Sequence, residues 1–132
     1  SIIHQMLKGA KNKWRVMLGY SQPYRNFLFK EDLMDAWMAA ILNRTKIYNN
    51  IYTIGPDNPI KIEDYANMIW KKLNYQGSIF WDMRPDRPGE IYYLNSTNKL
   101  FSELTNWKPK TNLSDGIDKT IEIWNEKIQT EK

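Results

Sequence analysis

The sequence predicts a small α/β domain with about five helices and short strands between them. Three observations lead there. Apolar residues recur at helical spacing in separate stretches, most regularly at Ile62, Tyr65, Ala66, Ile69, Trp70 and Leu73. Short apolar or β-branched runs lie between those stretches and are bounded by Gly, Pro or Asn. The 132 residues suffice for one domain with a real core, but the strands are too short and irregular for a full doubly wound sheet.

Ile2, Ile3, Met6 and Leu7 open the chain at helical spacing, and Gly9 with the Lys11-Asn12-Lys13 run ends that helix. Trp14 to Leu18 reads as a strand, Gly19 to Tyr24 as a turn, and Asn26 to Phe29 as a second short extended piece. Glu31 and Asp32 start a helix, where carboxylates suit the N-terminal dipole, and Leu33, Ala36, Trp37, Ala40 and Ile41 line one face. The polar stretch from Asn43 to Asn50 closes it. Ile51 to Ile54 reads as a strand stopped by Gly55-Pro56. The helix from Ile62 to Leu73 ends in Asn74 to Gly77, and Ser78 to Trp81 is a strand. After a loop with Arg, Pro and Gly, Ile91 to Leu94 is extended and Asn98 to Leu104 is a short helix. Pro109 keeps Trp107 to Lys110 out of helix. The last helix runs from about Leu113 to Ile128, with Asn112 as N-cap and Ile117, Ile121, Trp124 and Ile128 turned inward.

Composition narrows the function. The net charge is +4, with both signs mixed and no block of like charge, which disfavours a nucleic-acid tail and a polybasic membrane anchor. A mild basic surplus suits a small anionic ligand. The chain has no cysteine, which removes disulfides, thiolate nucleophiles and cysteine metal sites and fits a cytoplasmic setting. No apolar run is long enough to span a membrane. The first residues lack both the layout of a signal peptide and an initiator Met, so a piece of a longer protein is expected.

Two turn-rich stretches carry the clearest chemistry. In the first, Arg25 follows the Gly19 to Tyr24 turn; a guanidinium there can grip a phosphate bidentately, or it can be an ordinary surface arginine. In the second, Arg84 and Arg87 flank Asp86 between Pro85 and Pro88, followed by Gly89 and Glu90. The prolines stiffen the loop, Gly89 allows close approach, and Glu90 can accept hydrogen bonds from a diol. A rigid surface loop with internal Arg–Asp pairing is the plainer alternative. His4 is the only histidine and has no partner acid in the sequence pattern, so a structural role is expected. Glu31/Asp32 and Glu63/Asp64 are explained by helix starts, without acid–base work. No Gly-rich phosphate loop, G-x-S-x-G or H-E-x-x-H is present, and no metal site is expected.

Taken in order, these segments resemble the C-terminal part of the extended short-chain dehydrogenases/reductases that act on nucleotide sugars, the NAD-dependent epimerase/dehydratase type. Gly19, then Arg25-Asn26-Phe27 through Asp35-Ala36, is similar to that family's G-x5-R-D-[FW]-h-x-V-x-D-h-h-x-A stretch. Tyr52-Thr53-Ile54-Gly55 with Pro59-Ile60-Lys61-Ile62 resembles Y-N-I-G…P-h-S-h. Arg87-Pro88-Gly89-Glu90 resembles R-P-G-[DE]. Asn98-Lys99, Leu104, Trp107-Lys108-Pro109 and Asp115-Gly116-Ile117 resemble S-K…L-G-W-x-P…E-G-[IL]. Gly19-Tyr20-Ser21, lacking a second glycine, is similar to the GDP-mannose 4,6-dehydratase branch. Asn26 stands where the family has aspartate, Lys30 where it has valine, and Thr105-Asn106 where it has glycine before tryptophan.

The resemblance implies that residues 1–132 are one substrate-binding lobe, and that the family's N-terminal NAD(P)-binding Rossmann domain is not in this chain. Arg25 and Arg87 would hold a diphosphate, Glu90 would bond ribose hydroxyls, and the Val16-Met17-Leu18 strand would lie against the base. No catalytic residue is expected here, because neither G-x-x-G-x-x-G nor Y-x-x-x-K occurs. The implied function is the nucleotide-sugar-binding portion of a 4-epimerase or 4,6-dehydratase. Its partner would be a nucleoside diphosphate sugar, and NAD or NADP would serve the parent enzyme but bind nothing in this chain. The alternative is a non-catalytic, stand-alone binding or interaction module whose uncovered helix faces self-associate. A basic nucleic-acid binder rests on charge and aromatics alone and is set aside.

Overall fold

The computed structural model describes residues 2–12, 15–81 and 88–130, with side chains described as far as residue 127. Five helices and four short strands follow in the order α1 (Ile2–Asn12), β1 (Val16–Leu18), β2 (Tyr24–Arg25), α2 (Lys30–Leu42), β3 (Ile60–Lys61), α3 (Ile62–Lys72), β4 (Ile79–Trp81), α4 (Lys99–Thr105) and α5 (Leu113–Thr130). This is the small α/β architecture expected. Trp14 lies outside the described residues, as does the side chain of Ile128.

The main core lies among α1, α3, α5 and β1. Ile3, Met6, Leu7, Val16, Leu18, Tyr65, Ala66, Ile69 and Ile117 are buried together. The 3.6-residue periodicity of α3 and α5 points their apolar stripes at α1, and burial of apolar area fastens them. Asn112 caps α5 as expected: its Oδ1 accepts from Asp115 N at 2.9 Å. His4 stacks on Trp124 with ring centroids 4.3 Å apart.

A second cluster joins Ala36 of α2, Phe101 of α4 and Trp107, with Ala39, Ala40, Tyr52 and Ile54 against them. Here the structure corrects the sequence reading of α2. Of the expected inward face, Leu33, Trp37 and Ile41 are exposed, and the fully buried positions are Ala36 and Asp32. The helix turns its small residues inward, so that Phe101 and Trp107 can close on it, and leaves large ones outside. Asp32 can be buried because its carboxylate is satisfied. Oδ1 accepts from Lys110 N and Oδ2 from Thr111 N, both at 3.0 Å, while the indole of Trp107 donates to the Asp32 carbonyl at 3.2 Å.

The sheets are minimal. β1 pairs with β4 in parallel, Val16 opposite Ile79 and Leu18 opposite Trp81. β2 pairs with β3 antiparallel, Tyr24 opposite Lys61 and Arg25 opposite Ile60. Two expected strands are corrected. The extended piece placed at residues 26–29 pairs two residues earlier, because its partners sit beside Tyr24 and Arg25. Ile51 to Ile54 forms no ladder among the described residues; Ile51 is 91% exposed and no described strand lies alongside. Tyr52 and Ile54 are held by side-chain packing, and Thr53 Oγ1 donates to Thr97 O at 2.8 Å.

Candidate functional site

The turn after β1 is tied down by the helix it faces. The first N–H groups of α3 have no partners within the helix, and they donate to the turn instead: Ile62 N to Pro23 O at 2.9 Å and Glu63 N to Ser21 O at 3.0 Å. Tyr24 then enters β2 with neighbours on both edges. β3 lies on one side. On the other, Tyr24 N donates to Tyr92 O at 2.6 Å and Leu94 N donates to Tyr24 O at 3.2 Å. The backbone that carries Arg25 is therefore fixed from three directions, by segments around residues 20, 60 and 93.

From this position the Arg25 side chain reaches Glu90. Nη2 lies 2.9 Å from Glu90 Oε1, and Nη1 donates to Tyr24 O at 2.8 Å. The two side chains are 27% and 18% exposed. The pair is thus partly desolvated yet reachable, unlike a surface pair in full solvent. A guanidinium has five N–H donors, and these contacts occupy two. Gly89 precedes Glu90 with φ of 79° and open space around the position of a Cβ, so backbone conformation rather than crowding requires glycine there. Lys61 is no part of this cluster. It lies opposite Tyr24, on the other face of the pair from Arg25, and its ammonium is held above its ordinary range by a hydrogen bond to Glu63.

Next to Arg25, Asn26 fastens the same junction. Its Oδ1 accepts from Ser96 N at 2.6 Å, and its buried Nδ2 has no partner among the described residues. The 55–58 segment closes beside it: Asp57 N donates to Ser96 O, Asn98 Nδ2 donates to Gly55 O at 2.6 Å, and a Cβ on Gly55 would run into the Ser96 backbone.

The β1 residues divide sharply. Val16 and Leu18 are in the core, and Met17 is 75% exposed. Phe80 lies opposite Met17 on the same face, with the Arg15 guanidinium 5.2 Å from its ring centre. Arg15, Met17 and Phe80 thus form a flat ledge, partly apolar and partly cationic. The sequence reading named Met17 but missed Arg15 and Phe80; alternation along Ser78 to Trp81 was the available signal. Arg87, with Arg84 and Asp86, lies outside the described residues. The structure therefore brings Arg25 and Glu90 together, exposes Met17 and buries the Val16 and Leu18 side chains.

Other chemistry is sparse. Two clefts are lined by neither Arg25, Glu90 nor Met17; the larger, about 370 Å³, lies between Phe27, Tyr65, Gly116 and Trp124. Burial pushes the Tyr65 phenol up to about 12. No group of three or more metal-ligating side chains occurs among the described residues, and no described helix is long and apolar enough to cross a membrane.

No protein-family model matches the chain. Individual proteins do. GDP-L-colitose synthase of Yersinia pseudotuberculosis is 34% identical over 110 residues, which is 83% of this chain and 34% of that protein. The UDP-glucose 4-epimerase of Thermotoga maritima, solved with UDP-glucose, superposes on 96% of this chain with a TM-score of 0.81 at 19% identity, covering 38% of its own length. The dTDP-glucose 4,6-dehydratase of Bacillus anthracis, solved with NAD, covers 96% of the chain and 39% of its own, with a TM-score of 0.78 at 17% identity. The chain spans about a third of the length of the curated relatives it matches.

Proposed function

We propose, for a chain that belongs with the NAD-dependent nucleotide-sugar epimerases and dehydratases, that its 132 residues are the nucleotide-sugar-binding portion of such an enzyme, a 4-epimerase or 4,6-dehydratase. The observation that carries this reading is the meeting of Arg25 and Glu90, 65 residues apart in sequence and 2.9 Å apart in space. Their combination of a fixed guanidinium and a carboxylate suits a diphosphate next to a ribose diol. Arg25 holds the diphosphate, with Arg87 as its second cation. Glu90 accepts from the ribose hydroxyls. The base lies along β1 and meets the Met17 side chain, while Val16 and Leu18 contribute backbone groups only, since their side chains are buried. The relatives include a GDP-sugar enzyme, so GDP-linked sugars are the first ligands to try.

Neither dinucleotide turn nor Y-x-x-x-K occurs in these residues, so they do not fit an NAD(P) site and hydride transfer is assigned to none of them. The chain alone holds half of a pocket, and its expected affinity is millimolar, about −4 kcal/mol. Titration with GDP-, UDP-, CDP- and dTDP-sugars, followed by NMR shifts, tests this. Saturable weak binding that disappears in Arg25→Ala is the expected result. Binding at micromolar strength or tighter, or NAD-dependent turnover by the pure chain, refutes the reading.

A second reading, a stand-alone interaction module, draws on one observation. Met34, Trp37, Met38, Ile41 and Leu42 expose the outer side of α2. In the enzyme reading this face packs against the NAD(P)-binding part; in the module reading it binds a second copy. Sedimentation of the chain across concentrations separates the two, since tight dimers without nucleotide-sugar binding would favour the module.

A further inference from the structure

The Arg25–Glu90 contact supports a role for Glu90 that goes beyond bonding a ribose; it rests on the nucleotide-sugar reading and deepens it. We propose that Glu90 is a positioning residue for Arg25: Oε1 aims the guanidinium at the diphosphate, and Oε2 remains for the neighbouring diol, so that one carboxylate registers both groups of the ligand.

Arg25 is held at both terminal nitrogens, by Glu90 Oε1 and by the carbonyl of Tyr24. Two anchors at fixed points define the plane of the guanidinium. Nε–H and one N–H on each terminal nitrogen remain to be given to an anion. Among the described residues only Oε1 of Glu90 meets a donor, so the carboxylate can accept from Arg25 at Oε1 and from a hydroxyl at Oε2 together. The anchors themselves are stiff. The Tyr24 N–H and C=O are both bonded to the 92–94 segment while β2 pairs with β3 on its other edge, and Glu90 follows Gly89, whose left-handed backbone fixes the turn into it. An arginine held this way loses little rotamer freedom when an anion arrives, which is where pre-organisation raises affinity. A carboxylate that served the diol alone would have no reason to lie in ion-pair distance of Arg25.

Pyrophosphate is the discriminating probe, because it carries the anion and lacks the diol. NMR titrations of the chain with pyrophosphate, GDP and 2′,3′-dideoxy-GDP are compared for wild type, Glu90→Ala, Glu90→Gln, Arg25→Ala and the double alanine variant, each checked for a native spectrum. Glu90→Ala is expected to weaken pyrophosphate about 3- to 10-fold. Glu90→Gln, whose amide oxygen still accepts from Arg25, stays within about 2-fold of wild type on pyrophosphate. Arg25→Ala removes the effect of Glu90→Ala, so the double-mutant cycle is non-additive. GDP loses more in Glu90→Ala than dideoxy-GDP does. If pyrophosphate binds wild type and Glu90→Ala equally, Glu90 serves the diol only and the proposal falls. It also falls if both Glu90 variants tighten pyrophosphate, since the carboxylate then competes with the anion. If wild type binds none of the three probes, the nucleotide-sugar reading itself has failed.

Discussion

Replacing Asp32 by alanine is expected to destabilise the fold by about 3 kcal/mol, far more than a helix-start carboxylate contributes. The magnitude follows from its contacts. Its two oxygens accept the backbone N–H groups of Lys110 and Thr111 at 3.0 Å each, and the residue is 3% exposed. Hydrogen bonds to a charged acceptor are worth ~1.5–3 kcal/mol apiece, so the pair sums to roughly 3–6. Lys110 is exposed, so water can reach part of what is released, which favours the lower end. If Asp32 acted only through the helix dipole, the loss would be ~0.3–1 kcal/mol. Glu31, its exposed neighbour, is the internal control. Urea unfolding with a shared m-value gives both losses. Asp32→Asn should resemble the alanine variant, since its amide group faces one N–H with another donor. Equal losses for Asp32→Ala and Glu31→Ala, or less than about 1 kcal/mol for the former, would refute the clamp.

Two further outcomes follow from local geometry. The Tyr65 phenol is raised to about 12 by burial, against an ordinary value near 10. The folded state holds this proton more tightly than the unfolded chain. Its contribution is therefore complete below pH ~10 and disappears as pH climbs to ~12, on the order of 2–3 kcal/mol. Absorbance at 295 nm and stability against pH should show this, and Tyr65→Phe should flatten the alkaline limb. Asn106 ends α4 with φ of 58°, in the left-handed region. Asn106→Gly should then be neutral or slightly stabilising in thermal melts, and Asn106→Val should cost ~1–2 kcal/mol.

The helices were legible wherever burial followed periodicity. α3 and α5 show their inward residues in the spacing alone, and Asn112 announces its cap. α2 was not legible in the same way. Ala36 and Ala40 of the expected face do turn inward, but its large residues Leu33, Trp37 and Ile41 do not, because pattern reading scores hydrophobicity and cannot register that Asp32 will be satisfied by N–H groups 78 and 79 residues later. The strand read at Ile51 to Ile54 has the right composition but no described neighbour, and a ladder needs two members. β2 was misplaced by two residues because both of its partners are remote, near residues 60 and 93. For the site, the turn chemistry around Arg25 and Glu90 was readable. Their direct contact was not, since it depends on how β2 meets the 92–94 segment. The family resemblance supplied ligand roles for the two residues and gave no sign that they touch.

The stacking of His4 on Trp124 has a consequence for how the chain comes to be folded. α1 packs against α5 as well as β1 and α3, so its buried stripe of Ile3, Met6 and Leu7 is complete only when the final helix exists. During synthesis at ~5–20 residues per second, α1 waits roughly 5–25 s for the segment that covers it. The closure also spans nearly the whole chain, which places folding towards the slow end for a domain of this size. Over that interval β1 and α3 can cover part of the α1 stripe but its α5-facing side stays uncovered on the ribosome, so the nascent chain is a natural client for a holding chaperone. Shortening α5 by a few turns should therefore lower soluble yield more than it lowers the stability of the molecules that do fold.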